Sequence, residues 1–455
     1  MFRILLRREI LEGFGSHVFL LALAFLSLLV PLSAYSQARH YQQLVADFNL
    51  RRTMHEAENN YQAAVLTQSV SAFLPFYNGN YESLPNEVIL RSDSVSQLPA
   101  SDDLQPINAI LPQTDLSLIV GVLLSLMAIL LAHDAITGER GRGTLKLIAS
   151  MPVARRTIVL AKIAGVVLIM AASLIYTVVL YAAIVFWTDK GSLTVSASMI
   201  AGVALLLLTA ILVLSEIVVL GVAISAMVRH SSMALAISLA VWVGAILLWP
   251  NLSPYLASTW QPVSPGEVHR RRVLAIEAEM IRGELAEHQK VAADLSRHHA
   301  GIESAWQQYV AIKRAWDERK LEAINEVNAP RDRQLSQQRR LARDLICLSP
   351  YGGLTDIFGN LCATGLTDYE WFIASADRYY TEEFLPAVYH SMDKETPWKP
   401  GQPAAALFKP KPFDLPAVSM RQRLTYAIWP LSLIVGETIL LIAICLVGIR
   451  CYDVR

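Results

Sequence analysis

The sequence lacks the short motifs that mark an enzyme with its own active site. It contains no GxxxxGK[ST] phosphate loop, no GxGxxG dinucleotide fingerprint and no HExxH zinc motif. Its four cysteines, Cys347, Cys362, Cys445 and Cys451, have none of the spacings of a metal site. Lys and Arg number 39, as do Asp and Glu, so no net charge directs the chain to nucleic acid. We therefore predict a non-catalytic chain that carries no metal or cofactor of its own and binds no nucleic acid.

Charged residues are scarce as well. Only 17% of the 455 residues are charged and 54% are hydrophobic, a balance that excludes an ordinary soluble globular protein. Apolar runs long enough to cross about 30 Å of hydrocarbon occur at 17–35, 116–136, 160–187, 195–228, 232–250 and 424–448. The sequence therefore predicts an all-α membrane protein with six transmembrane helices.

The basic residues predict how the chain is oriented. Six spans place both termini on one side, and Lys and Arg concentrate in cytoplasmic loops. Basic residues precede span 1, lie between spans 2 and 3 and between spans 4 and 5, and follow span 6: Arg3, Arg7, Arg8, Arg140, Arg142, Lys146, Arg155, Arg156, Lys162, Arg229, Arg450 and Arg455. We predict that this side is cytoplasmic, that 449–455 form a cytoplasmic tail, and that 36–114 and 251–423 are extracytoplasmic.

Both extracytoplasmic segments are predicted to contain amphipathic helices. From Gln37 to Phe73, and again from Glu267 to Leu345, apolar side chains recur at helical spacing. Gly301 and Pro330 are predicted to divide the second segment into two or three helices. The expected fold is thus six spans with a large, mainly helical domain inserted between spans 5 and 6. Its helices need a partner surface, either one another or a second subunit, or else they form a solvated hairpin with structural duties only.

The loop between spans 2 and 3, predicted at 137–159, is the most informative stretch. It lies within HDAITGERGRGTLKLIASMPVARRTIVLAKI, from His133 to Ile163. Thr144 can cap a short helix along the membrane surface, and Pro152 disfavours helix at the residue before it. Such a helix is either a docking element for a cytoplasmic partner or an amphipathic turn with no partner.

The same loop resembles the second-to-third-span loop of ABC-2 type transporter permeases. The matching positions are Asp134, Glu139, Gly143, Thr144, Leu145, Pro152, Val153, Arg155 and Lys162. Two positions depart from the family pattern, since Ala154 replaces the usual Ser and Ala161 the usual Gly. The N-terminal residues 1–16, amphipathic and basic, similarly resemble the interfacial elbow helix of that family.

This resemblance implies a function and a set of partners. It implies that the loop contacts an ABC ATPase subunit through Asp134, Glu139, Gly143, Thr144, Leu145, Leu147, Pro152 and Arg155. Two copies of that ATPase would bind ATP and Mg, and a second permease chain, identical or paralogous, would complete the complex. The expected location is the bacterial cytoplasmic (inner) membrane, within lipid. The segment Leu348–Phe384 resembles the DUF3526 branch of the family, which carries a large insertion between spans 5 and 6.

Two carboxylates fall near the middles of predicted spans. Glu216 lies in span 4 and Glu437 in span 6. An ionised carboxylate at membrane depth is costly and usually faces a cavity or a partner, so both are candidates for function. The alternative is a neutral carboxyl bonded to a neighbouring helix or to Ser215 or Thr438.

Two further questions stay open at this point. Cys347 and Cys362 fall on the same predicted side and form either a disulfide or two free buried thiols. The chain itself is either the membrane subunit of an ATP-driven exporter or part of an ATP-driven mechanical or scaffolding device that acts through its external domain without transport.

Overall fold

A computed structural model describes residues 2–58, 63–91, 114–144, 154–189, 196–297, 301–394 and 410–450, with the side chains of 55–58, 302, 393–394 and 449–450 left aside. Within these ranges six helices are long and apolar enough to cross a membrane. They are span 1 (His17–Met54), span 2 (Leu116–Gly141), span 3 (Arg155–Thr188), span 4 (Ala197–Met227), span 5 (Ser231–Trp260) and span 6 (Met420–Gly448). The predicted six-span, all-α membrane protein is confirmed.

The span helices differ in regularity. Spans 3 and 4 are regular helices, whereas spans 2 and 5 each contain a π-helical segment, Ile119–Leu124 and Val243–Leu248. The helix of span 1 runs from His17 to Glu58, and that of span 6 from Met420 to Arg450. Span 2 begins where the Asp115 carboxylate accepts a hydrogen bond from Leu118 N at 3.1 Å, an N-terminal cap.

The remaining helices are numbered α1 to α7. They are α1 (Phe2–Phe14), α2 (Thr137–Gly141, the end of span 2, set off by a turn at 133–136), α3 (Gly266–Arg297), α4 (Ile302–Ile346), α5 (Pro350–Cys362), α6 (Leu366–Tyr379) and α7 (Leu385–Lys394), with a π-helical segment Tyr380–Phe384 joining the last two. Strands β1 (Ala63–Thr67) and β2 (Glu87–Arg91) pair antiparallel, with Val65 opposite Ile89. We name the strands together with α3, α4, α6 and α7 the distal domain.

One apolar core unites the spans. Side chains from all six spans and from α5 form a single buried cluster, in which Leu124, Ile129, Leu174 and Val218 are fully buried. Span 4 packs against spans 2, 3 and 6, and α1 packs along span 3. A helix buried on several sides must be apolar on several faces, which is why spans 3 and 4 show little amphipathicity in sequence.

The distal domain has a second, smaller core. Strand residues Leu66, Val88 and Leu90 pack against Phe372 and Phe384 of the neighbouring helices. This corrects the predicted helix over 37–73, because the helix of span 1 ends at Glu58 and residues 63–67 form a strand. Alternate side chains of both strands are buried, so this tertiary contact outweighs the helical spacing of the local sequence.

Helices α3 and α4 form an antiparallel hairpin. The predicted break at Gly301 is confirmed, since Gly301 is the residue that caps the start of α4. The predicted break at Pro330 is wrong, since α4 is continuous from Ile302 to Ile346. Contacts hold the helix on either side of the proline: Asn328 bonds His269 of α3 at 2.9 Å, and Gln338 donates to the carbonyl of Gln261 at 2.8 Å. These contacts offset the backbone hydrogen bond that proline removes.

Helix α5 lies within the bundle, although the sequence analysis assigned it to the extracytoplasmic segment 251–423. It packs against spans 2, 4, 5 and 6. Ser349 caps its first turn and donates a hydrogen bond to the carbonyl of Ala245, at the middle of span 5, at 2.6 Å. Arg343 of α4 donates two hydrogen bonds to Asp356, at 2.9 and 2.8 Å. The distal domain is therefore connected to the centre of the bundle through α4 and α5.

Cys347 and Cys362 are free and buried thiols. Cys347 lies beside Gly353 in the first turn of α5 and Cys362 ends the helix, so nine residues, or about 14 Å of helix at 1.5 Å per residue, separate them. A disulfide needs Cα atoms within about 7 Å. Burial raises the pKa of Cys347 to about 12, which leaves the unreactive thiol at neutral pH.

We therefore predict that alkylation of the native protein leaves Cys347 and Cys362 unlabelled and that both react after denaturation. Non-reducing peptide mapping by mass spectrometry is expected to give two separate thiol peptides. A single disulfide-linked peptide would contradict the separation of Cys347 and Cys362 along α5.

Candidate functional site

A buried cluster of charges lies where the loop between spans 2 and 3 meets the bundle. Lys162 of span 3 is 4% exposed and Glu139 of α2 is 3% exposed. The Lys162 Nζ lies 2.8 Å from Glu9 Oε1 of α1 and 3.0 Å from Glu139 Oε1. Arg8 Nη2 lies 3.8 Å from the same Glu139 oxygen. Two cations and two carboxylates thus join the N-terminal helix, the loop and span 3 at one point.

The local sequence allows this approach because span 3 has a glycine beneath α1. A Cβ atom at Gly165 would lie 2.7 Å from the Cβ of Glu9, closer than side-chain atoms pack. Glycine therefore lets α1 lie against span 3 with Glu9 beside Lys162. Arg8 is held by Glu12, which accepts its Nε hydrogen bond at 2.7 Å and raises the pKa of Arg8.

The turn at 133–136, together with α2 at the end of span 2, is fixed separately to the end of span 4. Ser225 Oγ accepts hydrogen bonds from the backbone N–H groups of Ile136 and Thr137, both at 3.1 Å. Arg140 Nη1 donates to the carbonyl of Val228 at 2.6 Å. These bonds satisfy backbone groups that the turn would otherwise bury without partners. The loop is thereby held to span 4 as well as to span 3.

Asp134 connects the same turn to span 5. Its Oδ1 accepts a hydrogen bond of 2.5 Å from Ser231 Oγ, at the first residue of that span. The absence of a side chain at Gly138 leaves room for the Asp134 carboxylate, since a Cβ there would collide with it. The loop region therefore has polar connections to α1 and to spans 3, 4 and 5.

The structure describes some of the residues that are predicted to contact the ATPase subunit and leaves others outside the described ranges. Asp134 and Glu139 lie in the connections just described, and Thr144 Oγ1 donates to the carbonyl of Glu139 at 3.2 Å. Gly143 has a φ of +74°, the left-handed conformation that favours glycine. Arg155 is exposed at the first turn of span 3. Leu145, Leu147 and Pro152, with the helix predicted to follow Thr144, lie outside the described residues.

Three residues of this site, Glu9, Ser225 and Ser231, were not predicted from the sequence. Glu9 is an acidic residue inside a segment that sequence reasoning treated only as basic and amphipathic. Ser225 and Ser231 carry no signal in sequence, because serine is common near the ends of helices. A carboxylate on the apolar side of the N-terminal helix is the one feature that pointed to a buried partner.

The two intramembrane carboxylates meet between spans 4 and 6. Glu216 is 3% exposed and Glu437 is half-buried, and their carboxyl groups interact with each other. Ser215 and Thr438 instead donate to carbonyls of their own helices, each at 2.7 Å. Among the described residues, no group forms a hydrogen bond of normal geometry with Glu216 Oε2. Sequence spacing gave each residue its depth but did not show that the two are neighbours.

Comparison with known proteins identifies the family. A family model described as "ABC-2 family transporter protein" matches residues 3–300, more than half of the chain. A search of curated proteins finds no match. The matched region contains α1, spans 1 to 5, the buried charge cluster and the connections of the loop to spans 3, 4 and 5. With this match, the chain belongs to the ABC-2 transporter family.

Proposed function

We propose that the chain is the permease subunit of an ATP-driven exporter, coupled to ATP hydrolysis by a separate ATPase subunit. The working complex contains two permease chains and two ATPase chains in the bacterial cytoplasmic membrane. The end of the bundle that carries α1 and the loop faces the cytoplasm, with both termini. The observation that supports this proposal most is the buried Lys162 cluster, because it joins the family's loop to α1 and span 3.

The connections around the loop suggest how force passes into the membrane. Closure of the ATPase dimer displaces residues 134–155. Glu139 carries this displacement to span 3 through Lys162, and Asp134 carries it to span 5 through Ser231. The turn itself is bonded to span 4 through Ser225. The loop, α1 and spans 3, 4 and 5 therefore move as one unit. A substrate acts by binding one arrangement of this unit better than another.

We further propose that the chain belongs to the DUF3526 branch of the family. The segment that carries the resemblance, 348–384, forms α5, α6 and the π-helical turn after α6. We place the distal domain on the extracytoplasmic side, where a large insertion between spans 5 and 6 is the mark of that branch.

A mechanical device is the second candidate function, and one observation favours it. Helix α4 is 45 residues long and its last turn is bonded to span 5, where Trp249 Nε1 donates to the carbonyl of Leu345 at 2.6 Å. A movement of span 5 would thus reach the far end of the distal domain. An exporter predicts ATP hydrolysis that responds to compounds offered from the cytoplasmic side, whereas a mechanical device predicts a response to a partner that binds the distal domain.

Purification of the tagged chain from its native membrane in mild detergent tests the proposal. We expect mass spectrometry to identify a co-purifying polypeptide that contains the GxxxxGK[ST] phosphate loop absent from this chain. An intact, folded preparation that brings down no such ATPase, in the presence and absence of nucleotide, would contradict the proposal.

The Glu216–Glu437 pair is proposed to take up a proton or a cation during the cycle. An ionised carboxylate at the bilayer centre costs about 2.5–3.5 kcal/mol on insertion scales, so a buried pair is expected to exist for binding rather than for packing. We predict that Glu216→Gln lowers permease-stimulated ATP hydrolysis about tenfold and removes its pH dependence, with thermal unfolding unchanged. Ser215→Ala, one residue away on the same helix, is the matched control. A Glu216→Gln protein with wild-type stimulation and pH profile would return Glu216 to a structural role.

A further inference from the structure

Helix α3 presents an apolar stripe that no described residue covers. Leu274 is 50% exposed, Ile281 52% and Leu285 56%, and Ala278 between them is exposed as well. No residue of α3 is buried. The four positions follow at steps of four, three and four residues, which is the spacing of the a and d positions of a coiled coil. The rest of the helix is dense in charge, so the stripe stands out from a polar surface.

The opposite face of α3 already has its partner. Trp316 Nε1 of α4 donates to Glu287 at 2.6 Å, and the His288 ring stacks on Tyr309 with centroids 4.4 Å apart. Packing against α4 therefore uses a different side of α3 from the one that carries Leu274, Ile281 and Leu285. The stripe is available to a second partner.

The course of α4 fixes the direction of α3. Its C-terminal half runs along the end of span 5, through Gln338 with Gln261 and Leu345 with Trp249. Its N-terminal half runs along α3, through Tyr309 with His288. Because α4 is one continuous helix, α3 continues the direction of span 5 away from the membrane. Two copies in one membrane, related by a two-fold axis along the membrane normal, would have their α3 helices parallel to each other.

The charges beside the stripe are self-complementary in that arrangement. With Ala278 and Leu285 at a positions and Ile281 at a d position, Glu277 occupies a g position and Arg282 the e position that follows. In a parallel coiled coil a g residue faces the e residue of the other helix five positions on. Glu277 then faces the partner's Arg282, and the two-fold axis repeats the pair. Neither residue forms an ion pair with the other described residues, and Arg282 Nε donates only to the carbonyl of Ala278, at 3.1 Å.

We propose that α3 pairs with α3 of a second copy of this chain as a short parallel coiled coil above the membrane. The stripe from Leu274 to Leu285 is about 16 Å long, which is too short for a coiled coil that is stable by itself. Its role is to align the two distal domains of a dimer already held in the membrane. The inference rests on the proposed function, which requires two permease chains, and it selects two identical chains.

Oxidative cross-linking of Ile281→Cys in the full-length protein in membranes tests the pairing. We expect most of the protein to run as a dimer on a non-reducing gel and to return to a monomer with reductant. Ala286→Cys is the matched control, because Ala286 is also exposed on the same helix but turned away from the seam. The control and the wild-type chain, whose described cysteines are buried, are expected to remain monomeric on the gel.

A charge swap tests the register. In the Ile281→Cys background, Glu277→Arg and Arg282→Glu are each expected to slow cross-linking at least tenfold, since each places two like charges across the axis. The double variant Glu277→Arg/Arg282→Glu restores the pairs and is expected to restore the rate. Equal rates in all four proteins, or equal cross-linking of Ala286→Cys, would overturn the proposed coiled coil.

Co-purification of two differently tagged copies separates failure of this inference from failure of the proposed function. If the tagged copies co-purify while Ile281→Cys does not cross-link, the permease dimer stands and the α3 pairing is overturned. If the copies do not co-purify at all, the dimer and the pairing fail together.

Discussion

Lys162→Met is expected to lower the free energy of unfolding by about 3–5 kcal/mol, because it removes one partner of a buried ion pair. Lys162 lies within 3.0 Å of both Glu9 and Glu139, and Glu139 is almost fully buried. Without the ammonium, two carboxylates face each other away from water. The remaining cation, Arg8, lies 3.8 Å from Glu139 and its side chain is 40% exposed, so it compensates only in part. Thermal unfolding of the detergent-solubilised protein measures the change.

A double variant separates charge from packing at this position. Lys162→Met/Glu139→Gln removes one of the stranded charges and is expected to recover much of the stability while leaving permease-stimulated ATP hydrolysis impaired, since the link between loop and span 3 stays broken. Arg156→Met, exposed in the first turn of the same span, is the matched control and is expected to unfold as wild type does. Lys162→Met protein with wild-type stability would show that the cluster is not formed.

Leu145→Asp and Leu147→Asp are each expected to abolish permease-stimulated ATP hydrolysis. The resemblance places both leucines on the element that contacts the ATPase, and a carboxylate buried in an apolar interface without a partner costs several kcal/mol. Each variant is expected to insert into the membrane in wild-type amount, because the spans are unchanged. Leu147→Ile keeps the position apolar and serves as the control. Co-purification of the ATPase at undiminished yield with normal stimulation would remove the loop from the contact.

The spans could be read from sequence because membrane thickness imposes a simple length on them. The same criterion missed α5, whose 13 residues are too few to cross the bilayer, although they contact the middle of span 5 through Ser349 and Ala245. The strand at Ala63–Thr67 and the unbroken helix at Pro330 were missed for another reason. In both places contacts with distant residues outweigh the local preference, and a single sequence does not show those contacts.

The site was predicted in part. Family resemblance selected Asp134 and Glu139, and the structure gives each a partner in another element. It did not select Glu9 or Ser225, which lie 130 and 86 residues away from Glu139 in the chain, because helix packing alone brings them together. Depth in the membrane marked Glu216 and Glu437 separately, whereas their meeting depends on how spans 4 and 6 are rotated. Sequence spacing within one helix carries no information on that rotation.

The most direct test of coupling between this chain and an ATPase is the rate of ATP hydrolysis by the co-purified ATPase in lipid vesicles, measured alone and together with this chain. We expect a rate several times higher with the wild-type chain, and the rate of the ATPase alone when the Leu147→Asp variant replaces the wild-type chain. Equal rates with and without the wild-type chain, from an ATPase that hydrolyses ATP normally, would contradict the claim that this chain couples ATP hydrolysis to work in the membrane.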